Sequence, residues 1–387
     1  MRLSPSCTIE HSAFLSSWFR AISIHFGTTA LVLVPLGLLL YACNTPSRQL
    51  IGSTSAVLVP LSVQIMLSHL RQMAKSDPTN NLASEATAWM SAFLLSTFGF
   101  HTFFKCAAAA VESYPNGADR DVTTWLAWYT SLPEPIFARG KMKKVVRKEI
   151  FWRALMCIKS MAGVSILLTI MLDIQERGKP FGTEPLLLGL LPASILNGFV
   201  GIWLLYFFTS FCLDFSAVTT SLVHGCSCQD GFRNPLLASL SMRECWGERW
   251  DLPVQLFLKR TFYIPARRAG IPSYAAGLMT FVASGLLHEY NFFVHNPGSY
   301  EKGLATLFFS IMGLLIIIER LLTRLCPVCI SSRLLIFPTC IASTCLVLLA
   351  AGPFDRFFFR SWVNSGCLES FAEIVPHVRC RQEILPQ

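Results

Sequence analysis

Residues 21–70 read AISIHFGTTALVLVPLGLLLYACNTPSRQLIGSTSAVLVPLSVQIMLSHL, and Arg48 is the single Asp, Glu, Lys or Arg among them. A helix needs roughly 17–25 mainly apolar residues to cross a bilayer. The two uncharged parts of this stretch, 21–47 and 49–70, therefore predict two successive membrane-spanning helices joined by a short loop.

The same pattern recurs along the chain. Further runs without these four residue types are 86–104, 185–213, 269–288, 303–318 and 334–354, and the run 154–172 carries only Lys159. Charged residues make up 14% of the 387 residues, against about 25% in soluble proteins, which excludes a soluble enzyme. We predict an all-α, polytopic transmembrane helical bundle of about eight spans with short interfacial helices, forming one membrane-embedded domain over 1–387.

The basic residues predict an orientation. Nineteen Lys and Arg fall in the loop with Arg48 and in the loops 112–153, 214–268 and 319–333. With eight spans these four loops share one side, which the positive-inside rule assigns to the cytosol, and both termini lie on the other. The net charge of +9 then faces an anionic leaflet or an anionic substrate, and we expect no nucleic-acid partner.

A short helix is predicted within 119–130, capped by Asp119 or Asp121. Trp125, Trp128 and Tyr129 fall on one of its faces. These rings suit either a helix at the membrane surface or ordinary packing against the bundle.

The segment 274–295 is apolar but carries polar residues on one helical face: Ser284, His288, Asn291 and His295. Polar groups at this depth normally face a bundle interior or a wet cavity. Entering near Ser273, the chain reaches His288 after roughly 22 Å of helix. A histidine there suits a general base, or it is tied to a neighbouring helix by hydrogen bonds. Glu289 points away from this polar face, and we expect it to be a structural partner for a cation such as Arg320.

The segment 241–253 reads SMRECWGERWDLP. Ser241 and Glu244 form a capping-box pattern, which predicts a helix start. Trp246 and Trp250 share a face and lie beside four basic residues: Arg243, Arg249, Lys259 and Arg260. This group suits an anionic, partly aromatic ligand such as a nucleotide-bearing thioester, or an interfacial helix with tryptophan anchors and snorkelling arginines.

The cysteines predict no metal site. There are fourteen, and 224–228 and 326–329 contain closely spaced ones, but neither has a second matching pair at zinc-site spacing.

Two of these segments resemble motifs of one family. The decapeptide 241–250, SMRECWGERW, resembles the Ser-Leu-x-x-Phe-Trp-Gly-Arg-Arg-Trp motif of wax-synthase-like enzymes, and 283–289, ASGLLHE, resembles their Ser-Gly-Leu-x-His-Glu helix. That branch is part of the membrane-bound O-acyltransferase superfamily. The resemblance covers about 230–295, the motif-bearing region.

The resemblance implies acyl transfer from acyl-CoA to an alcohol hydroxyl inside a membrane tunnel, in the endoplasmic reticulum, with acyl-CoA as co-substrate and no cofactor. It implies that His288 is catalytic and that Asp251 occupies the position of a second catalytic residue, usually Asn or His. The substrate-binding candidates are Trp246, Arg249, Trp250, Ser284, Asn291, Arg243, Lys259 and Arg260.

Several functions stay open at this point. The first acceptor choice is a long-chain fatty alcohol, giving a wax ester; sterol, terpenoid or polyketide hydroxyls are the alternative. A proton-coupled transporter would instead use His288, Glu289 and His295 as a relay. A non-catalytic lipid-binding protein is favoured if Asp251 and Glu248, which depart from the family pattern, abolish turnover. The oligomeric state is left open.

Overall fold

A computed structural model describes residues 3–10, 14–76, 82–176, 193–295, 300–325 and 375–384. In chain order the helices are α1 (Phe14–Thr28), α2 (Val34–Ala42), α3 (Thr45–Ser76), α4 (Leu82–Ala110), α5 (Val122–Thr130), α6 (Arg147–Glu176), α7 (Ala193–His224), α8 (Pro235–Ala238), α9 (Met242–Glu244), α10 (Leu252–Leu258), α11 (Ile264–Arg268), α12 (Ser273–His295) and α13 (Leu304–Leu325). Three π-helical segments interrupt this series, at Thr29–Leu33, Cys245–Arg249 and Lys259–Tyr263. The strands are β1 (Leu3–Glu10), β2 (Phe137–Ala138), β3 (Lys141–Met142) and β4 (His377–Ile384).

Six helical segments within these ranges are long and apolar enough to cross a membrane: Ile22–Ala42, Thr45–His69, Ala92–Ala110, Arg147–Leu172, Val200–His224 and Leu304–Leu325. Large apolar side chains on them point outward, for example Leu31, which is 80% exposed. An apolar outer surface of this extent is typical of contact with lipid. The chain is therefore a helical integral membrane protein, as predicted.

The six spans agree with six of the eight predicted ones. The run 269–288 forms most of α12, a helix that is not among the six. The run 334–354 lies outside the described residues. The all-α prediction holds apart from two small two-stranded ribbons, the antiparallel pairs β1–β4 and β2–β3.

The basic loops meet on one side of the bundle. The Arg48 guanidinium donates to the Tyr114 hydroxyl at 3.2 Å, which joins the first basic loop to the second. Main-chain hydrogen bonds join the second basic loop to the third, with the Ile136 N–H donating to the Ser227 carbonyl at 2.8 Å. Glu319 at the far end of α13 accepts the Met242 main-chain N–H at 3.0 Å. The predicted grouping of these loops is therefore present in the fold.

The helix α5 packs inside the fold. Asp121 caps it by accepting the Thr124 N–H at 2.8 Å, as one of the two predicted caps. Trp125, Trp128 and Tyr129 are fully buried. The packing interpretation is thus right for these three rings, which pack against α2 and the end of α4. The position of α5 relative to the membrane surface stays a prediction.

Candidate active site

The His288 ring is held in one tautomer by its own helix. Its Nδ1 lies 2.7 Å from the main-chain oxygen of Ser284, one turn earlier. Because a carbonyl oxygen only accepts hydrogen bonds, Nδ1 carries the proton and Nε2 keeps its lone pair. Nε2 has no hydrogen-bond partner among the described residues. The half-buried imidazole therefore presents a basic nitrogen to whatever lies beside it.

A row of aromatic rings joins His288 to the tryptophan segment. The imidazole packs on Phe309 of α13, with ring centroids 4.3 Å apart. Phe309 contacts Trp246 at 6.0 Å, and Trp246 contacts Trp250 at 5.6 Å. The fold thus brings together the two segments that the sequence singled out, through Phe309, a residue that carried no chemical signal in the sequence.

Trp246 has an additional property. Its indole Nε1–H is buried and has no hydrogen-bond partner in the part of the chain that the structure describes. Buried donors normally have partners, because an unpaired one costs about 1–3 kcal/mol. This donor lies two ring contacts from the candidate base and is available to a carbonyl of a bound substrate.

The helix start at Met242 forms as the capping-box pattern predicts. Ser241 Oγ accepts the Glu244 N–H at 2.9 Å, and the Glu244 carboxylate accepts the Leu240 N–H at 2.8 Å. Trp246 then lies on a π-helical turn instead of a regular α-helix, and Trp250 follows this turn with an extended backbone.

Glu289 caps the next helix. Its carboxylate accepts the main-chain N–H groups of Gly303 and Thr306, both at 2.9 Å, and the hydroxyl of Tyr300. The suggested pairing with Arg320 is wrong, because Glu289 faces the N-terminus of α13 and Arg320 lies sixteen residues along that helix from Leu304. Glu289 fixes the position of the helix that carries Phe309.

The contact between α12 and α13 depends on Gly285. A Cβ atom at this position would lie 2.6 Å from the Cα of Thr306, a distance that real structures do not show. The glycine allows the backbones of the two helices to approach closely behind His288.

Two of the four basic candidates are tied into the protein. Arg249 donates to Glu244 at 2.7 Å and to the Arg233 carbonyl at 2.9 Å. Arg260 forms an ion pair with Glu134 at 2.9 Å. Both guanidinium groups therefore already have intramolecular partners, and their contact with a substrate stays a prediction.

The Arg260 pair is part of a buried charge cluster. Lys105 lies 3.7 Å from Glu134, and both side chains are about 2% exposed or less. Lys105 also donates to the Trp128 carbonyl at 2.6 Å. Burial alone would raise the pKa of the Glu134 carboxyl, but Lys105 and Arg260 hold that pKa below its usual value. The single Glu134 carboxylate thus contacts two cations and links three parts of the chain.

The remaining candidates are placed differently. The side chains of Arg243 and Lys259 are exposed, with no ion pair among the described residues. Ser284 is buried and meets His288 through its main-chain oxygen, and Asn291 is half-buried one turn further on. The His295 side chain is outside the described ones.

Asp251 begins α10. Its backbone is left-handed, with φ at +38°, and its carboxylate accepts the Val254 N–H at 3.3 Å. Burial raises the pKa of the Asp251 carboxyl to about 7, although the hydrogen bond from Val254 opposes the shift. The structure gives no hydrogen bond between Asp251 and His288, both of which it describes. A catalytic role for Asp251 stays a prediction.

No group of three or more His, Cys, Asp and Glu residues in the described ranges is arranged to hold a metal ion. Cys226 and Cys228 are buried in a short extended segment that bridges to Lys144 and Pro135. Cys326 and Cys329 lie outside the described residues.

Residues 228–311 match the model of a protein family described as the membrane bound O-acyl transferase family. This range contains both motif segments and Phe309. The predicted resemblance to membrane-bound O-acyltransferases is therefore confirmed over these residues.

Three plant proteins illustrate the similarity. A probable long-chain-alcohol O-fatty-acyltransferase 2 of Arabidopsis thaliana is 32% identical over 122 residues, which are 29% of this chain and 34% of that protein. The long-chain-alcohol O-fatty-acyltransferase of Simmondsia chinensis is 37% identical over 95 residues, 23% of this chain and 27% of that protein. An acyl-CoA–sterol O-acyltransferase 1 of Arabidopsis thaliana is 33% identical over 95 residues, which are 23% of this chain and 27% of that protein. The chain thus spans about a third of the length of the curated relatives it matches.

Proposed function

We propose that this chain, similar over 228–311 to membrane-bound O-acyltransferases, transfers the acyl group of an acyl-CoA to the hydroxyl of a lipophilic alcohol. The observation that carries the proposal is the state of His288. Its Nδ1 is used by the Ser284 carbonyl, so Nε2 is ready to accept a proton. A general base needs this free lone pair in a site shielded from bulk water.

The proposed reaction is a direct transfer. The alcohol oxygen attacks the thioester carbonyl carbon while Nε2 of His288 takes the hydroxyl proton. The tetrahedral intermediate then expels the CoA sulfur, and the C–S bond breaks. The imidazolium returns its proton to the leaving thiolate, which gives the ester and free CoA.

The unpaired indole N–H of Trp246 has a place in this scheme. It lies two ring contacts from His288, by way of Phe309. We assign it to donate a hydrogen bond to a carbonyl of the bound thioester. Ser284 and Asn291 stay candidates for positioning the alcohol.

The first acceptor choice is a long-chain fatty alcohol, with a wax ester as product. The Simmondsia relative, 37% identical, bears the name of this reaction. A sterol is the second candidate, because a relative at 33% identity bears the name of a sterol acyltransferase. We place the protein in the endoplasmic reticulum membrane, which fractionation of expressing cells checks.

The proposal is tested in a host that makes no neutral lipid of its own. Membranes containing the chain receive radiolabelled acyl-CoA and, in separate reactions, a fatty alcohol, a sterol and a terpenoid alcohol. We expect labelled ester with the wild type and a loss of at least a hundredfold for His288→Ala.

His69→Ala is the matched control, because His69 is exposed on α3, and we expect its turnover to equal that of the wild type. Gel filtration in detergent confirms that both variants are folded. Ester formation at the wild-type rate by a folded His288→Ala protein would contradict the assignment of the base. Absence of every ester with the wild type would contradict the function.

A further inference from the structure

The ribbon formed by β1 and β4 joins two distant parts of the chain and places two cysteines opposite each other. The two strands pair antiparallel along their whole length. In this register Cys7 is the direct cross-strand partner of Cys380. Neither the motifs nor the proposed reaction uses these cysteines, so their pairing calls for a separate explanation.

The register brings the two cysteine backbones to a separation that a disulfide can span. Directly opposite residues of an antiparallel pair have Cα atoms roughly 4.5–5.5 Å apart and lie on the same face of the ribbon. A disulfide joins cysteines whose Cα atoms are about 4.4–6.8 Å apart. A register shift of one residue would place Cys7 opposite Arg379 or Arg381 and put the two cysteines on different faces. The observed register is therefore one that permits the bond.

The strand β4 is fastened to the far end of α6. The Val378 N–H donates to the Thr169 hydroxyl oxygen at 3.1 Å, and the Ser165 hydroxyl donates to the Pro376 carbonyl. Thr169 lies roughly 33 Å along the helix axis from Arg147, at 1.5 Å per residue. This distance is about the thickness of the hydrocarbon core of a bilayer. The ribbon therefore lies across the membrane from the basic residues at the start of α6.

The first span gives the same sidedness. The helix α1 begins at Phe14, shortly after β1, and the span Ile22–Ala42 leads from there to the loop with Arg48. The basic loops meet on one side of the bundle, which the positive-inside rule assigns to the cytosol. For a protein of the endoplasmic reticulum membrane, as proposed above, the ribbon is then on the lumenal side. Disulfides form and persist in that compartment.

This ribbon gains more from a cross-link than an ordinary hairpin does. A two-stranded ribbon by itself is marginally stable in water. The strands here are separated by residues 11–376, so their pairing also costs the entropy of closing a very long loop. A covalent bond between the strands removes that entropy from the unfolded chain, and its effect grows with the length of the loop.

We propose that Cys7 and Cys380 form a disulfide bond, which ties the strand before α1 to the strand fastened on α6. One cysteine thiolate attacks the disulfide of a lumenal thiol–disulfide oxidoreductase and forms a mixed disulfide with it. The other thiolate then displaces the oxidoreductase sulfur. Two electrons and, through water, two protons pass from the cysteine pair to the oxidoreductase, which is left as a dithiol. The inference depends on the proposed location and not on the proposed reaction.

Peptide mapping of the wild type tests the bond directly. Microsomes from expressing cells are treated with N-ethylmaleimide to block free thiols, and the purified protein is digested without reduction. Trypsin leaves Cys7 in the peptide 3–20 and Cys380 in the dipeptide 380–381. We expect a species that joins these two peptides and separates on reduction. Either cysteine recovered with the maleimide block, with glutathione or linked to another cysteine overturns the proposal.

Counting oxidised thiols in matched variants gives a second readout. Free thiols are blocked, disulfides are reduced, and the released thiols are labelled with a maleimide polymer that shifts the protein on a gel. The Cys7→Ser/Cys380→Ser variant should carry two labels fewer than the wild type. Cys43→Ser is the control, because Cys43 is a free, half-buried cysteine near the basic loop of Arg48, and its label count should equal that of the wild type. Equal counts for the wild type and the double variant overturn the proposal.

Thermal unfolding in detergent shows what the bond does. A phosphine reductant should lower the unfolding midpoint of the wild type by several degrees, because it opens a long covalent loop, and should leave the midpoint of the double variant unchanged. Equal losses in both proteins contradict the pairing of Cys7 with Cys380.

The two proposals fail separately, because none of these measurements depends on turnover. A protein with linked peptides that forms no ester keeps the disulfide and loses the acyltransferase function. A protein that forms ester while Cys7 and Cys380 are both free thiols keeps the function and loses the disulfide.

Discussion

Replacing Asp251 with Asn removes a charge and keeps the helix cap. Asn caps helices about as well as Asp, and it also tolerates the left-handed backbone seen here at φ +38°. The side-chain oxygen can still accept the Val254 N–H. The substitution therefore isolates the free-energy cost of a buried carboxylate.

The size and sign of the effect follow from the pKa. Burial raises the pKa of Asp251 from 3.8 to about 7 in the folded protein, whereas the unfolded chain titrates near 4. Between pH 4 and 7 the folded state holds a proton that the unfolded state has lost, so stability falls as the pH rises through this window. About three pKa units correspond to ~4 kcal/mol at full effect. Because the residue is only half-buried by exposed area, we expect about 2 kcal/mol.

Thermal unfolding of the detergent-purified proteins at pH 5 and pH 8 measures this difference. Asp251→Asn should unfold at a higher temperature than the wild type at pH 8, by several degrees, and the gain should shrink at pH 5. Asp121→Asn is the matched control. Asp121 is also a cap, but the Thr124 hydrogen bonds lower its pKa, so this change should give no gain at pH 8. A less stable Asp251→Asn at pH 8 would refute the reasoning and indicate an ion-paired carboxylate.

Two further substitutions test the packing around the site. Gly285→Ala should destabilise the protein by about 1–3 kcal/mol and lower kcat, because the added Cβ forces Thr306 and α13 away. Gly277→Ala is the control: its Cβ meets nothing within 4 Å, so the change should be neutral or stabilise by up to ~1 kcal/mol. Unfolding midpoints and ester formation are measured for both variants, and equal behaviour of the two would contradict the close contact between the helices. Glu134→Ala should lower the free energy of unfolding by about 3–5 kcal/mol, because it leaves Lys105 buried without its ion-pair partner. An unfolding midpoint equal to that of the wild type would show that the cluster does not stabilise the fold.

The spans could be predicted from the sequence because the cost of charge in hydrocarbon acts on each segment separately. An uncharged run of sufficient length predicts a spanning helix without reference to the rest of the chain, and six of the eight runs appear as apolar spans among the described residues. The helix α12 forms where a span was predicted but is not among the six apolar spans, because its polar residues, including His288, lower its mean hydropathy. The environment of α5 could not be predicted in this way, because a short helix with Trp125 on one face has the same sequence pattern at a membrane surface and in a protein core.

The candidate site could be predicted in part. Spacing along one helix placed Ser284 and His288 on a common face, and the structure joins them directly. Charge pairing was not predictable, because Arg260 and Glu134 are 126 residues apart and meet only through the fold. A cavity of about 490 Å³ beside Lys159 was not predictable for the same reason, since its wall comes from four separate parts of the chain.

The local hydrogen bond of His288 changes what the rest of the site must supply. In an enzyme with a catalytic triad, a carboxylate holds the imidazole in the productive tautomer. Here the Ser284 carbonyl, which has a second lone pair beyond its helical hydrogen bond, holds Nδ1–H instead. The proposed mechanism therefore needs no carboxylate to set the tautomer of the ring, and Asp251 caps α10 instead. Glu289, next in sequence, fixes the start of α13 and with it the Phe309 ring against which the candidate base packs.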